Sequence, residues 1–163
     1  MKKIILSLVL ALGVAGALNA QVNGKAIGLR FGGVGELSYQ HPLSDKNRVE
    51  LDLGFGYWGS NLSGTGYGRL GLTGIYHWVF DLSSVTDGLN WYVGPGAVAG
   101  LSYGSYYTNS AFVGIAGQIG AEYNFSFPLQ LSLDYRPVIF LVKPGWMSYG
   151  AYDGVCLAVR YKF

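Results

Sequence analysis

Two short motifs carry the residue types used in nucleotide binding and in acyl transfer. Residues 54–59 read Gly-Phe-Gly-Tyr-Trp-Gly, a G-x-G-x-x-G pattern, and residues 100–104 read Gly-Leu-Ser-Tyr-Gly, a G-x-S-x-G pattern. A dinucleotide site needs a helix directly after the glycines, within a βαβ unit. A nucleophilic serine such as Ser102 needs a strand–turn–helix context and a histidine partner. A polar loop follows the first motif and no helical pattern follows the second, so the sequence argues against both sites.

The histidines and the single cysteine do not form a recognisable catalytic or metal-binding pattern. A lipid-modifying hydrolase needs a serine, a histidine and an acid within hydrogen-bond reach. His77 and Asp81 lie four positions apart on one face of a predicted strand, about 13 Å apart and too far for a direct pair. Cys156 has no partner for a disulfide or a metal cluster. We therefore predict a protein without catalytic, cofactor-binding or metal residues, and keep a lipid-modifying enzyme as an alternative.

These residues lie in segments where apolar residues alternate with small or charged ones. Residues 155–163 show the pattern over nine positions, which predicts a strand with one apolar face. Turn-like stretches separate seven further segments of this kind. The predicted fold class is therefore all-β, with eight strands in antiparallel order. The predicted strands are residues 26–34, 36–41, 48–58, 67–82, 91–103, 111–127, 129–142 and 155–163.

The first 20 residues have the pattern of a cleavable signal peptide. Lys2 and Lys3 precede an uncharged, largely apolar run that ends in small residues, so we expect cleavage after Ala20. A single membrane anchor is the alternative, although the run is short for that. Residues 21–163 then form one domain. Removing the two lysines leaves nine basic and nine acidic residues, so no positive surplus is available to attract nucleic acid.

The composition favours a membrane location for this sheet. Charged residues make up 12% of the chain, about half the usual share of roughly 25%. The charges of the predicted strands all share the face opposite the apolar one, and an Arg or Lys on a lipid-facing surface costs roughly 2–4 kcal/mol. An open sheet edge is not tolerated in lipid, so the sheet must close. We predict an up-and-down transmembrane β-barrel with its apolar face outward, and a soluble lipocalin-like carrier is the architectural alternative.

Three stretches carry a resemblance to a known family: Gly-Glu-Leu-Ser-Tyr-Gln at residues 35–40, Asp-Tyr-Arg-Pro at residues 134–137, and Arg-Tyr-Lys-Phe at residues 160–163. With the eight alternating segments, the chain resembles the small OmpA/OmpX-like (porin-like) outer-membrane β-barrels. The resemblance implies the outer membrane of a Gram-negative bacterium, with membrane lipids and the barrel-assembly machinery as partners. In that family alternating apolar residues and a terminal aromatic form the assembly signal, which here corresponds to Leu157, Val159, Tyr161 and Phe163.

The charges assigned to the barrel interior are nearly balanced in sign. Buried charges need partners, so we expect them to pair and to fill a lumen that eight strands leave narrow. The predicted lumenal network comprises Arg30, Glu36, Glu50, Asp52, Arg69, Glu122, Asp134, Arg136 and Arg160.

The outer loops are rich in aromatic residues, which favour interfaces. The candidates for contact with an unidentified extracellular ligand are Trp58, Tyr106, Tyr107, Trp146 and Tyr149. Anchoring in the membrane interface and loop packing explain these residues equally well. The expected role is therefore structural or interactive and not enzymatic, and a small-solute porin is the main alternative.

Overall fold

The computed structural model describes residues 24–59, 66–104, 107–145 and 154–163, which contain nine strand segments and no helix. None of these residues belongs to an apolar helix of membrane-spanning length. The segments are β1 (Ala26–Phe31), β2 (Gly35–Pro42), β3 (Asn47–Gly59), β4 (Gly66–Asp81), β5 (Leu89–Gly104), β6 (Tyr107–Asn124), β7 (Leu129–Tyr135), β8 (Val138–Val142) and β9 (Val155–Lys162).

The strands form a closed antiparallel barrel. Each strand from β1 to β6 pairs with the next along the chain, and β9 pairs with both β7 and β1. The segments β7 and β8 both pair with β6 and together make one barrel strand. The barrel therefore has eight strands, which confirms the predicted all-β class with eight antiparallel strands.

The register of the pairs determines the strand tilt. Following cross-strand partners once round the barrel from Phe112 leads back to β6 at Glu122, ten residues further along. The path runs through Gly100, Gly71, Gly54, Glu36, Arg30, Ala158 and Ser132. An offset of ten residues over eight strands corresponds to a tilt of about 40° and a radius of roughly 8 Å. The interior is therefore only wide enough for side chains from opposite walls to meet.

Burial alternates along the strands in the predicted phase. In β9 the side chains of Leu157, Val159 and Tyr161 are exposed on the outer face, whereas Ala158 and Arg160 are buried inside. The same alternation holds in β2 and β7. The apolar face therefore points outward.

Two prolines disturb the strand pairing within segments that were predicted as continuous strands. The predicted strand over residues 129–142 is divided at Pro137, because proline has no N–H to donate to a neighbouring strand. Strand β5 does run through Pro95, but its pairing with β4 is interrupted between the Ile75–Gly96 and Trp78–Val93 pairs.

Glycine is required beside Pro95. A Cβ at Gly94 would lie 1.6 Å from the Tyr76 carbonyl oxygen. Only glycine permits so close an approach of β5 to β4.

Candidate functional site

The lumen contains a network of charged side chains centred on Arg136, which lies between β7 and β8. Its Nη1 donates to both carboxylate oxygens of Glu36 at 3.1 and 3.0 Å, and its Nη2 donates to Glu50 Oε1 at 3.3 Å and to Asp52 Oδ2. Its Nε donates to Gln118 at 3.1 Å. The strongly tilted wall brings these residues together from β2, β3 and β6. One guanidinium group therefore contacts three carboxylates.

A second arginine links the first two strands to β7. Arg30 contacts Glu36 at 2.5 Å and Asp134 at 2.5 Å, and the hydroxyl of Tyr92 donates to Asp134 at 3.2 Å. Glu36 thus forms ion pairs with both Arg30 and Arg136. This shared carboxylate joins the two arginines into one network.

Arg160 extends the network from β9. Its Nη2 donates to Glu50 Oε2 at 3.0 Å, and it also donates to the hydroxyls of Ser38 at 2.9 Å and Ser132 at 2.8 Å. The same Glu50 accepts from the amides of Gln40 at 2.6 Å and Gln118 at 3.1 Å. Glu50 is fully buried, and it is held by two arginines and two amides.

A further ion pair lies nearest the end of the barrel where β1 begins and β9 ends. Arg48 contacts Glu122 at 2.6 Å, and its guanidinium lies 4.7 Å from the centre of the Tyr92 ring. Its Nε donates to Nδ1 of His77 at 3.3 Å. The amides of Asn90 and Asn124 both donate to Glu122 at 3.3 Å.

The structure places all nine predicted network residues in the interior. Eight of them take part in the contacts above. Arg69 is buried further along β4, at the level of Gly56 and Ser102. The described ion pairs join four arginines to five carboxylates, and we call these nine residues the charge network. They are Arg30, Arg48, Arg136, Arg160, Glu36, Glu50, Asp52, Glu122 and Asp134.

The predicted set lacked Arg48 and the bridging amides. Arg48 is on the charged face of its strand, but it follows a polar turn, where the sequence does not distinguish a lumenal side chain from a solvated one. The amides of Gln40 and Gln118 occupy inward positions in β2 and β6. Their position on the charged face of each strand was the sequence feature that could have predicted their place in the lumen.

Beyond the charge network, away from the end where β1 begins and β9 ends, a cluster of apolar side chains occupies the interior, and Arg69 and Ser102 are buried at the same side of the barrel. The rings of Phe112 and Phe140 meet edge to face at 5.9 Å, and both side chains are buried. This section of the lumen was not predicted from the sequence, and we call it the apolar plug. It consists of Val34, Ile75, Val98, Phe112, Ala116, Val138 and Phe140.

Ser102 and His77 do not form a catalytic pair. Ser102 Oγ donates to the Ser110 carbonyl at 3.0 Å, and the His77 ring is buried 4.6 Å from that of Tyr92. Trp78, the residue after His77, pairs with β5 nine positions before Ser102, a separation of about 30 Å.

The glycines of the first motif and the single cysteine lie within the barrel wall and its interior. Gly54 and Gly56 lie within β3. Cys156 is buried, with Sγ 3.9 Å from the Gly154 carbonyl oxygen. In the part of the chain that the structure describes, no three His, Cys, Asp or Glu side chains are grouped to hold a metal ion.

The residues matched to the assembly signal lie on the outer surface at the barrel seam. Leu157, Val159 and Tyr161 project outward from β9, and the Tyr161 and Phe163 rings stack at 6.5 Å.

The outer-loop candidates are only partly covered by the structure. Tyr106, Trp146 and Tyr149 lie outside the described residues. Trp58 and Tyr107 belong to β3 and β6 by their backbone, and their side chains lie outside the described part.

No protein-family model matches the chain, and no curated protein matches its sequence.

Proposed function

We propose that the protein is an integral outer-membrane β-barrel with a structural or surface-interaction role, its lumen closed by the charge network and the apolar plug. The observation that carries this proposal is the separation of charge between the two faces of the wall. No Asp, Glu, Lys or Arg points outward from the strands that the structure describes, whereas the nine residues of the charge network are buried inside.

The outer face is too apolar for contact with water. Its large exposed side chains occur on every strand, for example Leu29 on β1, Leu53 on β3, Leu72 on β4, Ile115 on β6 and Leu133 on β7. Soluble monomers rarely expose a contiguous apolar patch larger than a few hundred Å². A soluble carrier of this architecture would turn its apolar face inward. Lipid acyl chains are the environment that suits the observed orientation.

Aromatic rings cluster at the end of the barrel where β1 begins and β9 ends. Phe80 and Trp91 stack at 4.4 Å, and Tyr76 meets Trp78 at 5.2 Å. Further pairs there are Tyr123–Phe125, Phe125–Phe127 and Tyr161–Phe163. Such a belt is typical of the level of the lipid headgroups. This end would face the periplasm, after export directed by residues 1–20, which lie outside the described residues.

The proposal is tested by locating the full-length chain and measuring its mobility on gels. We expect it in the outer-membrane fraction, released only by detergent, with the unboiled form migrating faster than the boiled form because the closed barrel resists the gel detergent. Recovery in the aqueous fraction without detergent would overturn the membrane proposal and favour the carrier.

The contents of the lumen argue against the small-solute porin. The charge network spans the interior from β1 to β9, and Phe112 and Val98 are fully buried beyond it. We expect no steady open conductance from the purified barrel in planar bilayers. A stable open conductance would favour the porin and would require the network to rearrange.

A further inference from the structure

An apolar groove of about 350 Å³ opens on the outer face of the barrel where β5, β6 and the junction between β7 and β8 lie side by side. None of the residues that line it has a polar side chain. They include Pro95, Ile115, Ala116, Gly117, Pro137 and Ile139.

The groove arises from a row of three residues across neighbouring strands. Pro95 is the cross-strand partner of Gly117, and the Gly117 N–H donates to the Pro137 carbonyl at 3.0 Å. The central glycine has no side chain to fill the space between the two proline rings. Ile115 and Ile139 are also cross-strand partners, and their side chains line the groove at one end of this row.

The wall behind the groove is apolar as well. Ala116 lines the groove and also belongs to the apolar plug. Both prolines lack an N–H, and the N–H of Gly117 is already used. A water molecule needs two to four polar partners to occupy such a site, so the groove suits a hydrocarbon better than water.

The position of the groove along the barrel axis also favours a hydrocarbon occupant. Pro95 lies four residues along β5 from Trp91 in the aromatic belt, a rise of about 10 Å at the strand tilt. An apolar band is about 25 Å tall in barrels of this type. The groove therefore lies near the middle of the band, where only acyl chains reach.

We propose that this groove binds one acyl chain of a membrane lipid, in preference to the rest of the outer surface. The proposal rests on the membrane location proposed above. Because the surrounding lipid is as apolar as the groove, selection comes from packing contacts and not from the hydrophobic effect. A chain in the groove touches Gly117 below it and the proline and isoleucine side chains beside it, whereas on a flat part of the wall it touches one side only.

The probe for this site is 16-doxylstearic acid, added to the purified full-length barrel in detergent micelles. Its unpaired electron broadens nearby amide resonances, which solution NMR measures residue by residue. We expect the amides of Gly96, Ala116 and Gly117 to broaden and to saturate at about equimolar label. The amides of Leu37 and Leu53, on the opposite wall, should broaden only in proportion to the total label.

Two glycine variants provide the test and its control. A Cβ at Gly117 would meet only Pro137 Cγ, at 3.8 Å, and a Cβ at Gly74 would meet only Leu51 Cδ2, at 3.5 Å. Both glycines face outward, so both accept a larger side chain, but only Gly117 lies in the groove. We expect Gly117→Leu to raise the half-saturating label concentration about tenfold, because roughly ten carbon–carbon contacts are lost. Gly74→Leu should leave it unchanged.

Broadening that rises equally around the whole barrel, or saturation that persists in Gly117→Leu, would overturn the proposal. Heat-modifiable mobility verifies that each variant closes. If Gly117→Leu does not close, Ile139→Ala removes one wall of the groove and should weaken the saturable component, and an unchanged component would again refute the site. A barrel that stays soluble without detergent would instead refute the membrane location, so the two failures are distinguishable.

Discussion

Among the arginines of the charge network, Arg136 is the one whose loss should cost the barrel most, because it contacts three buried carboxylates. Replacing Arg136 with methionine keeps much of the side-chain volume and removes the positive charge. In this variant Glu36 retains its ion pair with Arg30, and Glu50 retains its ion pair with Arg160. For Asp52, Arg136 is the only ion-pair partner among the described residues.

The expected cost follows from the burial of these groups. Removing one partner of a buried ion pair typically destabilises a protein by 3–5 kcal/mol, because an uncompensated charge remains inside. We expect Arg136→Met to lower the free energy of unfolding by about this amount. Arg160→Met is the matched control, since Arg160 is equally buried but contacts only one carboxylate, Glu50. Its loss should cost about 1.5–3 kcal/mol, the value of a hydrogen bond to a charged group.

A second substitution tests whether the uncompensated charge is the cause. Asp52→Asn in the Arg136→Met background removes the carboxylate that has lost its partner. We therefore expect the double variant to be more stable than the sum of the single changes predicts, with a coupling free energy of about 0.5–3 kcal/mol.

Equilibrium urea unfolding in phospholipid vesicles measures these quantities. Tryptophan fluorescence and the fraction of fast-migrating unboiled protein follow the transition, and linear extrapolation gives the free energy in water. The reasoning is refuted if Arg136→Met costs no more than Arg160→Met. It is equally refuted if the loss of unfolding free energy in the double variant equals the sum of the losses in Asp52→Asn and Arg136→Met.

Three further substitutions test the seam, the plug and the outer face. Gly28→Ala should abolish the heat-modifiable form, because its Cβ would lie 1.9 Å from the Val159 carbonyl oxygen, whereas Gly35→Ala, with its nearest atom at 3.9 Å, should leave that form intact. Phe112→Ala should lower the free energy of unfolding by about 3–5 kcal/mol, as for other buried aromatics, and a cost below 1 kcal/mol in urea unfolding would show that the plug is loosely packed. Leu157→Arg should cost roughly 2–4 kcal/mol in vesicles if the residue faces lipid, and a negligible cost would place it in water.

The strands and their orientation could be predicted because both depend on local pattern. In residues 155–163 each apolar residue has a small or charged neighbour, so a period of two assigns the segment and its faces. The position of every strand charge on one face then decides which face points outward. The ends of the strands were less certain: the predicted strand that begins at residue 111 starts instead at Tyr107 and ends at Asn124, where a tight turn begins.

The apolar plug could not be predicted because its residues do not differ in type from their outward neighbours. Phe112 precedes Val113, and Phe140 lies between Ile139 and Leu141. Where both faces of a strand are apolar, alternation contains no information about which side chain is buried. The assignment there depends on neighbouring strands.

The ion pairs were out of reach for a different reason. Glu36 and Arg136 are 100 residues apart in sequence, and they meet only because the register offset around the barrel brings their side chains to the same level. That offset is the sum of many separate pairings, and the pairing of β1 with β9 joins strands at opposite ends of the described chain, so it is not encoded locally. The sequence could therefore indicate which charges lie inside, but not which of them pair.

The seam between β1 and β9 has a consequence for the order of folding. Ala26 pairs with Lys162, and the backbones of Lys25 and Phe163 exchange two hydrogen bonds. During synthesis β1 emerges before the other described strands and its partner β9 emerges after them, so one edge of the nascent sheet stays open until residues 155–162 are available. Contacts this distant in sequence form slowly, since a loop of nearly the whole chain must be ordered first. The polypeptide therefore needs protection from aggregation until β9 is available to pair with β1.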